Sequence, residues 1–425
     1  MKKNLVLICF IAAMGGFLFG FDTAVISGAL SFVVKDFHFS ALMEGWFVSS
    51  ALLGCIFGVL FSGKLSDVYG RKKIMLLSAG LFFLSAIGCM LAGSATILIS
   101  FRLVGGLGIG VASMICPLYI SEVSPPSFRG RMVALYQLAI TIGIVAAYFS
   151  NAWLQRLVAD PWRSMIGIGA LPAFFFLAGL FFVPESPQWL ELQKKTAPGE
   201  GYTGSPSTAL KQLLSPTYRT ALIIGLALPF LSQVSGINAV IYYGPAILDK
   251  AGFSLGDALG GQVIIGLVNV VFTFVAIFTV DKWGRKPLLY TGIAGAVLSL
   301  LIIGLLFHSG TASGPWILTF ILLFIACFAF SFGPVCWIVI SEIFPGAVRG
   351  QAMSLATLSL WIANFFVGQL TPLMLRSEHW GPAATFWTFA ALCAPGLWLT
   401  RKLIPETKGK SLEQIEQTWK KGLTG

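Results

Sequence analysis

The sequence predicts an all-α membrane protein of twelve transmembrane helices in two six-helix repeats. Of its 425 residues 56% are hydrophobic, 11% are charged and 36 are phenylalanine, more apolar surface than a water-soluble fold of this length can hide. The apolar residues fall into twelve runs, each near or above the roughly 20 residues that cross a hydrocarbon core as helix. The same charged punctuation is also written twice, about 220 residues apart. Asp67-x-x-Gly70-Arg71, Glu122 seven residues before Arg129-Gly130, and Pro184-Glu185-Ser186-Pro187 are answered by Asp281-x-x-Gly284-Arg285, Glu342 seven residues before Arg349-Gly350, and Pro405-Glu406-Thr407. A duplicated membrane domain with a site between its repeats is the architecture of a transporter.

Taken in order, the first repeat has spans at 5–34, 46–63, 74–95, 97–121, 132–154 and 163–183, and the second at 219–248, 262–280, 287–307, 315–340, 352–375 and 383–403. The chain thus divides into a first half (1–190), a polar linker (191–218), a second half (219–404) and a tail (405–425). The opening Met-Lys-Lys and apolar run resemble a signal peptide, but the run is long, contains Asp22 and lacks a small-residue cleavage site. It is expected to be retained as the first helix. Within the linker, glycines and prolines between 198 and 206 predict flexibility, and 209–214 a short interfacial helix. In the tail, Leu412, Ile415 and Trp419 share one face of a predicted short amphipathic helix over 411–421, expected to cap the bundle.

The formal net charge of +11 does not imply nucleic acid. Of the 28 lysines and arginines, 22 fall on the side of the N-terminus, 5 on the opposite side and one, Arg102, inside a span. Cytoplasmic loops carry such an excess, so both termini are expected to face the cytoplasm across the cell membrane. The seven cysteines lie in or beside spans with no Cys-x-x-Cys pair; they are expected to be packing residues. His38, His308 and His379 are scattered. No metal site and no cofactor is expected, and a Gly-x-x-x-x-Gly-Lys-Ser/Thr phosphate loop is missing, which argues against direct drive by ATP. No Ser/His/Asp set shares one membrane depth, so an enzyme is not expected.

The duplicated charges sit where spans turn at the N-terminal side. Asp67, Arg71, Glu122, Arg129, Glu185, Asp281, Arg285, Glu342, Arg349 and Glu406 are therefore candidate inner-gate residues, able to form salt bridges between the halves that hold one access state closed. These loops, with Pro184-Glu185-Ser186-Pro187-Gln188-Trp189-Leu190 and Pro405-Glu406-Thr407-Lys408-Gly409, resemble those of the sugar porter branch of the major facilitator superfamily. The resemblance runs from Gly15 to about Glu416. It departs at Gln188, where the family usually has arginine, and after Leu190, where the segment is shorter than the family's helical intracellular domain.

Two charges lie inside the membrane. Asp22 is beyond the midpoint of span 1, which enters from the cytoplasm, and Arg102 is five residues into span 4, which enters from outside. Both fall in the outer half, at depths where they can meet. An intramembrane acid is costly enough to suggest function. A carboxylate beside a guanidinium holds a proton weakly, and one left alone in apolar surroundings holds it tightly. A pair that parts between states is a proton-coupling device. The resemblance implies the same role, since Asp22 and Arg102 match positions that family proton symporters use for coupling.

In span 7, Ser232-Gln233-Val234-Ser235-Gly236-Ile237-Asn238 is followed by Tyr242 and Tyr243. Gln233 and Asn238 would point about 140° apart on a straight helix, so a bend near Gly236 is needed to bring both to one ligand. Neutral amides beside aromatic rings suit a sugar, whose hydroxyls need hydrogen bonds and whose C–H faces pack on rings. Gln137, Asn269, Trp337, Trp361 and Asn364 are further candidates. With Phe19, Gln233, Asn238 and Tyr242 they match the family's sugar-binding positions. Ser232 stands where the family usually has a second glutamine, which enlarges the pocket or admits a water.

The reading is a secondary transporter in which proton flow drives uptake of a monosaccharide, hexose or pentose, by alternating access. Two alternatives remain open: a proton-independent uniporter of the same fold, and a sugar sensor that does not transport. The protein is expected to act as a monomer in the lipid bilayer.

Overall fold

A computed structural model of the chain describes residues 2–125, 129–195, 213–310, 314–344, 346–410, 414–415, 417 and 419. They are helical throughout, with no strand among the described residues. Twelve helices are long and apolar enough to span a membrane, from Leu5–Asp36 to Gly381–Lys402, and they match the twelve predicted spans one for one. The chain is a multi-pass membrane protein.

The elements are α1 Lys2–Asp36, α2 Ala41–Tyr69, α3 Arg71–Met90, α4 Ala95–Val123, α5 Arg129–Leu157, α6 Trp162–Gly167, α7 Ala170–Phe181, α8 Pro187–Lys195, α9 Arg219–Val234, α10 Ile237–Lys250, α11 Leu255–Trp283, α12 Arg285–Ser309, α13 Gly314–Phe330, α14 Phe332–Ile343, α15 Gly346–Arg376, α16 Gly381–Cys393 and α17 Pro395–Lys402. Four of the twelve spans are broken into two helices, at Ile168–Gly169, Ser235–Gly236, Ser331 and Ala394. A break frees backbone groups that only a protein or watery interior can satisfy. At Ser331 the hydroxyl takes up one of them, donating to the Cys327 carbonyl at 2.6 Å.

The molecule forms two compact units that do not follow the sequence repeat. Unit 1 comprises residues 1–202, 239–270 and 368–376; unit 2 comprises 203–238, 271–367 and 377–425. Unit 1 therefore includes the ends, on the side away from the N-terminus, of three spans from the second half. Two hydrogen bonds join them to the first half, Tyr148 Oη donating to the Ile241 carbonyl at 3.2 Å and Ser49 Oγ to Gln369 Oε1 at 2.7 Å, and Tyr243 Oη joins two of them to each other by donating to the Gly368 carbonyl at 2.5 Å.

Within unit 1, α4 is the hub, and its glycines explain how. A Cβ at Gly106 would lie 1.9 Å from the Ala51 carbonyl oxygen of α2, while one at Gly105 would lie 2.4 Å from Ser85 Oγ of α3. Small residues thus let α4 touch α2 on one face and α3 on the other, close enough for backbone packing. Unit 2 has its own core around Ile224, Leu228, Ile293, Phe332, Ile340 and Phe344. Ile415 and Trp419 of the tail are buried in it, and Trp419 Nε1 donates to the Ile343 carbonyl at 2.9 Å. These two residues close one end of the unit 2 core. The expected helix over 209–214 lies outside the described residues apart from Leu213 and Leu214. All seven cysteines are free and buried.

Candidate transport site

The pair foreseen inside the membrane is formed. Arg102 Nη1 donates to Asp22 Oδ2 at 2.8 Å, between α4 and α1. Arg102 is almost completely enclosed, its side chain 3% exposed, whereas that of Asp22 is 17% exposed. Asp22 also borders a small cavity shared with Leu18, Phe21, Val25, Phe82, Ala86, Ile166 and Gly169. The arginine is fixed and the acid keeps an opening. The close approach of α1 to α5 positions it: a Cβ at Gly20 would sit 1.9 Å from the Ile140 carbonyl oxygen.

The amides of span 7 converge through the bend that a straight helix lacks. Gly236 has φ +86°, a conformation open to glycine and costly to other residues. α9 ends at Val234, α10 starts at Ile237, and Asn238 Nδ2 donates to Gln233 Oε1. Gln233 Nε2 in turn donates to Ser232 Oγ at 3.2 Å, and Ser232 Oγ donates to the Pro229 carbonyl at 2.7 Å. The serine thus steadies the glutamine, and its hydroxyl is engaged within the helix. Unit 2 also carries Trp337, half-buried, and Trp361 and Asn364, both buried. Unit 1 carries half-buried Phe19 and Gln137, with Tyr242 and Asn269 buried. The Tyr242 and Tyr243 rings meet edge-on, with centroids 6.4 Å apart.

The duplicated charges form two copies of one cluster. In unit 1, Arg71 pairs with Asp67 at 3.0 Å and with Glu122 at 3.0 Å, and Glu185 Oε1 accepts from the backbone N–H of Arg71 at 3.0 Å and Lys72 at 3.1 Å. In unit 2, Arg285 pairs with Asp281 at 3.0 Å and Glu342 at 2.9 Å, and Glu406 accepts from the N–H of Arg285 at 3.1 Å and Lys286 at 3.0 Å. Ser186 Oγ donates to Glu122 Oε2, and Thr407 Oγ1 to Glu342 Oε2, both at 2.5 Å. The turn glycines Gly70 and Gly284 have φ of +95° and +93°. Arg349 donates to the Phe344 carbonyl at 3.1 Å from Nη2; the Arg129 side chain lies outside what is described.

The pairs of Arg71 and Arg285 each stay within one half instead of bridging the two. Sequence spacing placed the charges at the right helix ends, but each arginine finds its glutamate in its own half, 51 residues beyond Arg71 and 57 beyond Arg285, and the turn glycine folds the acids onto the same arginine. Ser186 and Thr407 were missed; their matching place after the duplicated Pro-Glu was the available signal. Burial of Glu406 raises its hold on a proton, but the N–H donors of Lys408, Arg285 and Lys286, with the Arg285 charge, outweigh it and leave the carboxyl below its ordinary range.

Comparison with known proteins decides the family. The model of a family described as "Sugar (and other) transporter" matches residues 8–204 and 191–419. The chain belongs to this sugar transporter family. It is 40% identical over 441 residues to the arabinose-proton symporter of Bacillus subtilis (strain 168), covering 97% of this chain and 95% of that one. It is 37% identical to the galactose-proton symporter of Escherichia coli (strain K12), covering 98% and 94%. Among solved structures, a partially occluded inward-open conformation of the xylose transporter XylE from E. coli superposes with a TM-score of 0.83 at 34% identity, covering 96% of this chain and all of that one. This chain pairs an acid in α1 with an arginine in α4 and carries the two charge clusters.

Proposed function

We propose that the protein is a proton-coupled monosaccharide symporter that works by alternating access in the cell membrane, with both termini cytoplasmic and the monomer as the working unit. The observation that carries the coupling is the Asp22–Arg102 pair, at 2.8 Å with the arginine enclosed and the acid partly open. An acid inside a span, held by a fixed cation in one access state and parted from it in the other, couples proton movement to the change of state. Asp22 is the proton carrier and Arg102 the fixed charge that releases it. The relatives named for arabinose, galactose and xylose support a pentose or hexose as cargo.

Phe19, Gln137, Gln233, Asn238, Tyr242, Asn269, Trp337, Trp361 and Asn364 are assigned to sugar contact. Ser232 acts through Gln233, whose amide it orients. The ten charges of the duplicated motifs form the inner gate, each cluster keeping its own half rigid at the cytoplasmic end. No step here is an enzymatic one: the sugar leaves unchanged, and the work is done by the proton gradient.

The test is the pH of a lightly buffered, de-energised cell suspension as arabinose, xylose or galactose is added. External alkalinisation with one sugar, lost in Asp22→Asn while that variant still exchanges labelled sugar, is expected. Equilibration of the sugar with no proton movement in the wild type makes the protein a uniporter and the Asp22–Arg102 pair a structural one.

A further inference from the structure

Glu44 has no part in the reading above, yet it is one of the most enclosed acids in the protein. It lies in the first turn of α2, with its side chain 5% exposed. Its charge is met by Arg376, the last residue of α15, whose Nη2 lies against Glu44 Oε2 while its own side chain is 46% exposed. First half and second half are thereby joined within unit 1. The same helix ends are fastened around the pair by neutral contacts. Ser49 Oγ donates to Gln369 Oε1 at 2.7 Å and Gln369 Nε2 donates to the Leu42 carbonyl at 3.2 Å. The bare Gly45 admits the Gln369 carbonyl oxygen to 2.4 Å of where a Cβ would stand. Among the described residues, Glu44–Arg376 is the one ion pair in this fastening.

The pair is unequal in a way that matters. Glu44 has been taken out of water and Arg376 largely has not, so the closed arrangement carries the cost of burying a carboxylate and depends on the arginine to offset it. When these ends separate, the carboxylate regains water and the arginine loses little. The balance between closed and open is thus set by one guanidinium.

We propose that Glu44 and Arg376 form a latch on the outer side of the membrane, paired while the sugar path is closed to the outside and parted when it opens. The latch sets the resting balance between the two access states and does not touch sugar. It rests on the orientation and alternating access of the reading above, and a ligand can shift that balance only by binding the two states unequally.

A buried charge pair gives a distinctive pattern under substitution. Removing the partner of a buried charge is far worse than removing both members. Arg376→Gln strands the Glu44 carboxylate and should favour the open state strongly. Glu44→Gln removes the attraction and the burial cost together, a smaller change. The double variant E44Q/R376Q should return toward the parent.

The experiment uses Val48→Cys as reporter, since Val48 is 1% exposed and packs beside Gly368. Labelling by a membrane-impermeant maleimide is followed from outside, without sugar or proton gradient. Arg376→Gln is expected to speed labelling by about 5- to 150-fold, and E44Q/R376Q to bring the rate back to within about threefold of the Val48→Cys parent. Labelling of Arg376→Gln at the parental rate overturns the latch. So does a double variant that labels as fast as Arg376→Gln. The variants are labelled in parallel without Val48→Cys, and equal labelling there means general unfolding of a chain whose native cysteines are all buried, which also overturns it. Because the assay contains no sugar and no gradient, a failed symport test leaves this result standing, and the reverse holds.

Discussion

Glu406 shows how much a single carboxylate can organise. It caps the start of α12 by accepting from the backbone N–H groups of Arg285 and Lys286, and it closes the 405–408 turn by accepting from Lys408 at 2.9 Å. Anions are favoured at a helix N-terminus, where unpaired N–H groups and the helix dipole point at them. Its carboxyl therefore titrates below its ordinary value of 4.5 in the folded protein. A depressed folded value means stability that is fully present above the ordinary value and is lost as pH falls through the folded one. The purified wild type is expected to lose thermal stability faster than Glu406→Gln as pH is lowered through about 4.5 and below, measured by thermal unfolding in detergent across that range. Parallel curves for the two proteins would mean that these donors do not hold the charged form. Legibility at this scale was uneven. Asp22 and Arg102 could be matched from the sequence because depth in a membrane is a coordinate that residue counting supplies. Glu44 could not, since its apolar run begins at 46 and an acid at a span's edge reads as a loop residue. Its partner lies in another repeat, where counting gives no contact.

Among the elements, the break in span 7 does most to shape the candidate site. Local sequence made it foreseeable: Gly236 sits between two amides that a straight helix would point apart. What the sequence did not reveal is that the two amides bond to each other and that Ser232 supports Gln233, because side-chain partners depend on the exact angle at the break. Gly236→Ala tests the break in two ways. A left-handed backbone costs a non-glycine residue about 1–2 kcal/mol, and the new methyl carbon would stand 2.5 Å from Phe389 Cδ2. The expected outcome is a protein that reaches the membrane but binds sugar at least about tenfold more weakly, a loss of about 1.4 kcal/mol. Calorimetric titration with the sugar that moves protons reads this directly. Unchanged affinity would show that the bend does not position Gln233 and Asn238 for ligand.

At the scale of the whole molecule, the duplication visible in the sequence became two copies of one charge cluster, while the compact units were drawn elsewhere. Repeats are a record written in residue types, and so they were legible. Which helix ends pack together is decided by contacts between distant segments, and so it was not. The two clusters also differ in depth, which gives the duplication a measurable asymmetry. Glu122 has a side chain 7% exposed and Glu342 one that is 24% exposed, while Arg71 and Arg285 are both nearly enclosed at 6% and 10%. Neutralising either glutamate leaves its arginine with an aspartate that is 58% exposed in the first half and 80% exposed in the second, where water screens the remaining pair. Stranding the more deeply enclosed arginine costs more, so Glu122→Gln is expected to destabilise by about 3 kcal/mol and Glu342→Gln by about half of that, since solvent reaches its site. Thermal unfolding of the two variants in the same detergent compares them. Equal losses would mean that the clusters contribute through geometry common to both halves, and a larger loss at Glu342 would reverse the ranking by burial.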